Sequence, residues 1–203
     1  WDVYRERSLA RVKALTYPVF VKPARAGSSS GVTRVSREED LVAAIELARQ
    51  HDPKVVVEAG AVNPREIECG VIQNMNGKPI ASVVGEIVVQ TGGRHEYYDF
   101  EAKYLDHTSV NVIPADLDPE TSERVRAYAL QAFDAIGVEG LARVDFFLAD
   151  NVDGGLVINE INTMPGFTPY SMFPGLWQAT GMSYPELVAH LIELALTRST
   201  GLR

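Results

Sequence analysis

The sequence predicts an α+β fold dominated by antiparallel hairpins, and three observations support this. Two β-rich runs, residues 66–75 and 79–90, are joined by Asn76-Gly77. Asn-Gly between such runs indicates a hairpin, because both positions of the tight turn require positive φ. A second pair of strands follows late in the chain, and the helical stretches do not alternate regularly with single strands as they would in a βαβ protein.

Helices are indicated where apolar residues recur with a helical period after a capping residue. Residues 1–15 form a polar first stretch of this kind. Ser36 and Ser183 each stand three residues before a glutamate, the spacing of a capping box. Asp118-Pro119 supplies an N-cap followed by proline in the first turn. We therefore expect four helices, the last three beginning at these caps.

Short apolar runs predict the remaining strands. Residues 18–23 and 31–35 flank a Gly/Ser loop, and residues 54–58 end in an acid. The late pair covers residues 140–149 and 156–162, and strict alternation would put every even-numbered residue of the second strand on one face. The polar, irregular stretch that precedes the Asp118 helix predicts a long functional loop.

The charge balance excludes two classes of partner. The 203 residues carry a formal net charge of −8, whereas nucleic-acid and anionic-membrane surfaces need a basic excess. We therefore expect neither nucleic acid nor a membrane as a partner, although a few local cations can still hold a phosphate. The single cysteine, Cys69, lies in an apolar run, which indicates a buried side chain rather than a catalytic thiol.

The late hairpin brings acidic and polar residues onto apolar strands. Facing residues of a symmetric hairpin have a constant sum of residue numbers, which places Asp145 opposite Glu160. The same rule places Arg143 opposite Asn162. Phe147 shares a strand face with Arg143 and Asp145 because side chains alternate along a strand.

Facing carboxylates repel each other and are costly to desolvate, and a divalent cation removes both problems. Asp145, Glu160 and Asn162 offer three oxygen ligands without His or Cys, which suits Mg²⁺ or Mn²⁺. Arg143 beside them fits a phosphate bridged by the metal. The alternative is a solvated face on which Arg143 pairs with an acid.

A phosphate-binding loop is a second hypothesis. Lys22 ends an apolar strand just before a loop that contains Gly27, Ser28 and Ser29. Such a loop offers backbone N–H and hydroxyl donors at close approach, which suits a triphosphate. It is not a Walker A loop, because no Lys-Ser or Lys-Thr follows the glycines. An ordinary flexible turn is the alternative.

Three further features of the sequence suit a nucleotide site, and each has a simpler alternative. Glu58 at a strand end could accept from an adenine amino group, and Glu66 could accept from ribose hydroxyls, although simple surface exposure explains both. Lys103 and Tyr104 lie among aromatic residues of the long loop. A cation and aromatics on a mobile loop suit a lid over phosphate and substrate, and a solvated loop packed by its own aromatics is the alternative.

Together these segments resemble the ATP-grasp ligases, and specifically the D-alanine–D-alanine ligase family. The resemblance runs from about residue 17 to about residue 196, and its last motif, with Ser171 following, is the most specific. The matching motifs are Val21-Lys22-Pro23, Gly27-Ser28-Ser29-Ser30-Gly31, Phe100-Glu101-Ala102-Lys103-Tyr104, Ala142-Arg143-Val144-Asp145 and Asn159-Glu160-Ile161-Asn162-Thr163-Met164-Pro165-Gly166-Phe167-Thr168.

The resemblance implies a role for each candidate. On the nucleotide side, Lys22 contacts the ATP phosphates, Gly27, Ser28 and Ser29 cover them, and Glu58 and Glu66 serve the adenine and the ribose. Phe147 is placed with these residues. On the catalytic side, Arg143 steadies the acyl-phosphate and tetrahedral intermediates, Lys103 reaches the γ-phosphate, and Ser28 orients the lid tyrosine, Tyr104. Asp145, Glu160 and Asn162 hold two divalent ions, and Gly166 and Ser171 face the second D-alanine.

The implied activity is ATP-dependent ligation of two D-alanines for peptidoglycan precursor synthesis in the cytoplasm. In the family, the tyrosine at Tyr104 accompanies dipeptide formation, and relatives that make the D-lactate ester replace it. The implied fold has a small central lobe over residues 1–60 and a large lobe over residues 61–203, with the nucleotide between antiparallel sheets.

The family's N-terminal domain, which helps to bind the first D-alanine, is not represented in the sequence. We therefore expect that domain as a partner, an isolated chain that is incomplete as an enzyme, and a homodimer in the full enzyme. Two alternatives stay open. One is an ATP-grasp ligase that uses another carboxylate and amine, and the other is a nucleotide-binding module without turnover of its own.

Overall fold

A computed structural model describes residues 3–89, 109–168 and 170–198. The chain divides into two compact units, one containing the residues up to Val62 and the other formed by Asn63–Val88 together with the chain from Val110 onward. Within the described ranges, no helix has the length and apolar character needed to cross a membrane. The lid candidates Lys103 and Tyr104 lie outside the described residues.

The first unit is a three-stranded antiparallel sheet with one face covered by a helix. Its strands have the order β2-β1-β3. The elements are α1 (Arg5–Val12), β1 (Val19–Pro23), β2 (Thr33–Val35), α2 (Leu41–Arg49) and β3 (Val55–Ala59). Val19 and Val21 are buried against α2, so the alternate residues Phe20 and Lys22 lie on the other face of the sheet.

The capping box expected at Ser36 is wrong. Helix α2 begins at Leu41 after one turn of 3₁₀-helix over Glu38–Asp40, and neither segment has a side-chain cap. The Ser36 hydroxyl instead accepts a hydrogen bond from Arg34 at 3.0 Å. Because that hydroxyl is engaged by a neighbouring side chain, it is not directed at the helix N-terminus.

The second unit is a five-stranded sheet in the order β6-β5-β4-β7-β8, with β4 antiparallel to both β5 and β7, and β7 antiparallel to β8. The other two N-terminal signals hold here: Asp118 caps α3, accepting from the Thr121 N–H at 2.8 Å, and Ser183 with Glu186 forms a capping box on α5. The elements are β4 (Arg65–Gln73), β5 (Pro79–Val89), β6 (Ser109–Val112), α3 (Pro119–Ala135), β7 (Leu141–Leu148), β8 (Leu156–Asn162), α4 (Met172–Thr180) and α5 (Tyr184–Thr197).

The β4–β5 hairpin is confirmed, but its turn differs from the expected one. Only Gly77 has a positive φ, of 76°, and Asn76 does not. The Asn74 carbonyl accepts from the Gly77 N–H at 2.8 Å, and the Asn74 side chain accepts from the N–H groups of Asn76 and Lys78. The Asn74 side chain thus stabilises a longer loop, in which one left-handed glycine is sufficient.

Helix α3 covers one face of the five-stranded sheet. The buried cluster joins the sheet residues Ile67, Cys69, Val144 and Phe146 to Phe133 of α3, among others. Burial raises the pKa of the Cys69 thiol to about 12, which keeps the thiol protonated and confirms its expected packing role.

Helix α4 covers only part of the opposite face, at two glycines. A Cβ at Gly70 would lie 2.9 Å from Trp177 Nε1, and one at Gly85 would lie 2.8 Å from Met172 Sδ. The missing side chains therefore allow the helix to approach the strands closely. The polar residues of the acidic hairpin lie on this same face of the sheet.

Candidate cation and nucleotide site

The register of β7 and β8 places the predicted residues opposite each other. Asp145 pairs with Glu160 and Arg143 pairs with Asn162, as expected from the hairpin rule. Closer to the turn the register shifts by one residue between Asp145 and Phe146, so that Phe146 pairs with Ile158. The strict alternation expected along β8 is therefore wrong, because a bulge interrupts it.

A compact hydrogen-bond network joins these four side chains. Arg143 donates from Nε to Asp145 Oδ1 at 2.7 Å and from Nη2 to Asp145 Oδ2 at 2.6 Å. Asn162 Nδ2 donates to Asp145 Oδ2 at 2.9 Å and to Glu160 Oε1 at 3.4 Å. An amide nitrogen thus lies between the two facing carboxylates and provides the positive end of a dipole where they would otherwise repel.

A fifth member, Glu68, was missed by the sequence reasoning. Strand β4 places Glu68 directly opposite Asp145, and its Oε2 lies 2.7 Å from Arg143 Nε. Its side chain is only 6% exposed. The available signal was the alternation of Glu66 and Glu68 with apolar Ile67 and Cys69, but a hairpin rule cannot show that β4 lies beside β7.

The electrostatics of Arg143 follow from these contacts. Burial opposes its charged form, but the hydrogen bonds to Asp145 and the negative charges of Asp145, Glu68 and Glu160 outweigh burial and raise the pKa of the guanidinium. Arg143 therefore stays cationic among three carboxylates. Arg143 and the carboxylates of Glu68, Asp145 and Glu160 together carry a formal charge of −2, which matches a divalent cation.

The donor set fits Mg²⁺ or Mn²⁺. Asp145 and Glu160 each direct an oxygen toward the same amide, and rotation of that amide would present the Asn162 carbonyl oxygen as a third ligand. Among residues 3–89, 109–168 and 170–198, no group of three or more His, Cys, Asp and Glu side chains is arranged to hold a metal. A cation held by Asp145 and Glu160 would take its third protein oxygen from the Asn162 amide.

Glu66 and Phe147 extend the same face away from the acidic cluster. Glu66 and Phe147 lie directly opposite each other on β4 and β7. They are the next pair on the same face after Glu68 and Asp145. Both side chains are half-buried. An acid beside a partly exposed aromatic ring is suited to a nucleoside, because the ring can stack and the acid can accept from hydroxyls.

In the first unit, Lys22 and Glu58 lie on one face of the small sheet. Their Nζ and Oε1 atoms form an ion pair at 2.6 Å, with side chains 20% and 38% exposed. The sequence predicts a phosphate contact for Lys22 and an adenine contact for Glu58, but no contact between the two side chains. The pairing keeps the Lys22 ammonium extended along the face instead of folded into the core.

The loop after β1 has unusual backbone conformations. Ser28 and Ser29 adopt φ values of 55° and 56°, which cost L-residues energy. Ser30 N–H donates to the Gly27 carbonyl at 3.1 Å, and a Cβ at Gly31 would lie 2.6 Å from the His51 ring. The tight turn and close packing hold the two serines in this strained form, which is typical of ligand-binding loops.

Gly166 and Ser171 also come together. Ser171 Oγ accepts from the Thr168 N–H at 2.9 Å and lies 2.9 Å from Thr168 Oγ1. A Cβ at Gly166 would lie 2.9 Å from the same Ser171 Oγ. Ser171 can therefore approach the backbone of residue 166 this closely only because that residue lacks a side chain.

Comparisons with known proteins agree with this architecture. The family model described as D-ala D-ala ligase C-terminus matches residues 2–193. The chain is 58% identical over 207 residues to a D-alanine–D-alanine ligase from Kineococcus radiotolerans, covering 100% of this chain and 54% of that protein. It is 55% identical over 198 residues to the ligase from Mycolicibacterium gilvum, covering 97% and 53%.

Two solved structures share the fold. A D-Ala:D-Ser ligase from Enterococcus faecalis superposes with a TM-score of 0.78 at 37% identity, covering 95% of this chain and 54% of that one. The D-alanine–D-alanine ligase from Coxiella burnetii gives a TM-score of 0.73 at 34% identity, covering 95% and 47%.

Two antiparallel sheets with helices, in a chain that superposes on these ligases, define the ATP-grasp class. Within that class, the chain belongs to the D-alanine–D-alanine ligase C-terminal family. The chain spans about half the length of the curated relatives that it matches.

Proposed function

We propose that this chain is the ATP-grasp region of a ligase that joins two D-alanines with ATP for peptidoglycan precursor synthesis. The proposal is supported by the network of Arg143, Asp145, Glu160 and Asn162. The sheet that carries this network lies within the residues that match the ligase family. In this proposal the enzyme works in the cytoplasm as a homodimer, and a further N-terminal domain contributes to the first D-alanine site.

The residues of the second unit have distinct tasks in this reaction. Asp145, Glu160 and Asn162 would hold Mg²⁺ or Mn²⁺, two ions in all, which neutralise the phosphate oxygens during transfer. Arg143, fixed as a cation, stabilises the negative charge that develops when a carboxylate takes the γ-phosphoryl group and an amine then displaces phosphate. Gly166 and Ser171 would face the second amino acid.

The other assignments complete the nucleotide site. We assign Lys22, Gly27, Ser28 and Ser29 to the phosphates, with Ser28 also orienting Tyr104. Glu58 serves the adenine, Glu66 and Phe147 serve the nucleoside, and Lys103 with Tyr104 closes over the phosphates. In this proposal the lobes are residues 1–60 and 61–203.

A phosphate-release assay tests the proposal. The full-length protein that carries this sequence is incubated with ATP, Mg²⁺ and D-alanine, and phosphate and dipeptide are measured together. We expect equal amounts of both products, and neither product when D-alanine is replaced by L-alanine. Turnover of ATP that does not depend on any D-amino acid would contradict the proposal.

A second candidate concerns the second substrate. The D-Ala:D-Ser ligase from Enterococcus faecalis resembles this chain at 37% identity, so the shared fold accommodates D-serine as well as D-alanine. Offering D-serine and D-lactate beside D-alanine separates the possibilities, and we expect D-alanine to be preferred. The isolated 203-residue chain serves as a further comparison, and we expect it to bind nucleotide without forming dipeptide.

A further inference from the structure

Glu68, Asp145 and Glu160 form a row of carboxylates across three adjacent strands. Asp145 lies in the middle, directly opposite Glu68 on one side and Glu160 on the other. As whole residues, Glu68 and Asp145 are 5% and 8% exposed, which is within the range of the buried core residues. Two buried neighbouring carboxylates require compensation, and Arg143 contacts both.

The two contacts of Arg143 are not equivalent. Its Nε carries a single hydrogen, which it donates to Asp145 Oδ1. Glu68 Oε2 lies at the same distance from this nitrogen, 2.7 Å, and attracts the guanidinium through its negative charge. Glu68 is therefore positioned to accept the Nε hydrogen after a small rotation of the guanidinium.

Asp145 has competing demands on its oxygens. Its Oδ1 accepts from Arg143, and its Oδ2 accepts from both Arg143 and Asn162. A cation that takes Asp145 as a ligand must draw electron density from the same oxygens, which weakens the bonds to the guanidinium. Without a second acceptor, Arg143 would then lose its orientation.

We propose that Glu68 is a positioning residue that accepts the Nε hydrogen of Arg143 when Asp145 binds the cation. The exchange frees Asp145 for the metal and keeps the guanidinium on the same face. This inference rests on the proposed function, because it assumes the cation at Asp145. It adds a residue of β4, outside the β7–β8 hairpin, to the site.

Direct Mn²⁺ binding, without turnover, is the first measurement. In the full-length protein, Glu68→Gln should weaken Mn²⁺ binding by about tenfold in an electron paramagnetic resonance titration, since a neutral amide competes poorly with Asp145 for the guanidinium. Glu86→Gln is the matched control. Glu86 is a buried carboxylate of the same sheet that pairs with Arg65 instead, so Mn²⁺ affinity should not change.

Loss of a nearby negative charge could also weaken the cation site directly, and a double-variant cycle separates the two effects. In an Arg143→Gln background there is no guanidinium that could change its acceptor from Asp145 to Glu68. Adding Glu68→Gln should therefore change Mn²⁺ affinity by less than about twofold. A tenfold loss in that background would show a direct field effect and overturn the proposal. Arg143→Gln retains an amide donor for Glu68, which favours folding.

Glu68→Asp provides an independent test if Glu68→Gln does not fold. It retains the charge but shortens the side chain, so Mn²⁺ binding should still weaken, and wild-type affinity would overturn the proposal. In the ligase assay, kcat and kcat/KM for ATP should fall together by about 10- to 100-fold in Glu68→Asp. If the wild type binds no Mn²⁺, the proposed function fails; if it binds Mn²⁺ and Glu68→Gln binds equally well, only this inference fails.

Discussion

The two faces of strand β7 present opposite chemistry on the same eight residues. Val144 and Phe146 are buried against helix α3, whereas Arg143 and Asp145 face the other way and form the charged network. Asp145 is nonetheless only 8% exposed, close to the burial of its apolar neighbours. Asp145 is therefore about as buried as the apolar side chains, although its face neighbours Arg143 and Phe147 are only half-buried. Packing compensates the buried groups on one face, and opposite charge compensates Asp145 on the other.

Stability and the candidate site therefore depend on opposite faces of the five-stranded sheet. The α3 face removes apolar surface from water, which stabilises the sheet. The other face holds charges whose desolvation is offset only in part by their pairing, so it contributes little net stability. Replacements on the two faces should therefore have effects on different measurements.

The largest expected effect is on activity. Asp145→Ala should lower Mg²⁺-dependent phosphate release in the full-length protein by about a thousandfold, because the cation loses its central ligand. The matched control is Asp153→Ala, which removes an exposed acid at the turn of the same hairpin and should keep wild-type rates. Normal turnover by Asp145→Ala would contradict the cation assignment.

A pair of neighbouring phenylalanines tests the faces directly. Phe146→Ala should reduce the free energy of unfolding by about 3–5 kcal/mol, because Phe146 is 1% exposed in the core beneath α3. Phe147→Ala, at a half-buried position on the other face, should cost about 1–2 kcal/mol and weaken ATP binding. Urea unfolding and a nucleotide titration measure the two quantities, and equal losses of stability would refute the contrast.

Helix α4 packs closely against the sheet face that also carries Arg143 and Asp145. Gly70→Ala should reduce the free energy of unfolding by about 1–3 kcal/mol, because the new Cβ would lie 2.9 Å from Trp177 Nε1 and 3.3 Å from the Phe173 ring. Gly27→Ala, with no atom within 4 Å of the new Cβ and no positive φ, should change it by less than about 0.5 kcal/mol. A Gly70→Ala protein as stable as wild type would show that α4 can shift without cost.

The smallest expected effect concerns Asp52, a buried carboxylate outside the functional face. Hydrogen bonds from the Arg25 side chain and the Lys54 N–H lower the pKa of Asp52 well below its ordinary value. A depressed pKa means that its stabilising contribution is present above about pH 4 and is lost as the pH falls further. Urea midpoints between pH 6 and pH 2.5 should therefore fall less steeply in Asp52→Asn than in wild type.

Local signals predicted much of the fold. The Asp118 and Ser183 caps mark true helix starts because the side chain, the N–H that it caps and the following turn are all within three residues. Ser36 shows the limit, since Arg34 occupies its hydroxyl. The Asn76-Gly77 turn shows it again, because the Asn74 side chain selects the longer loop.

The pairing of Asp145 with Glu160 and of Arg143 with Asn162 could be predicted from residue numbers alone, because a hairpin relates residues that are close along the chain. The position of Glu68 beside them could not be predicted in this way, because it depends on the order of the strands, which is set by packing over the whole sheet. The tertiary structure also placed the bulge after Asp145, which turns Ile158 away from Glu160 while leaving the predicted pairs intact.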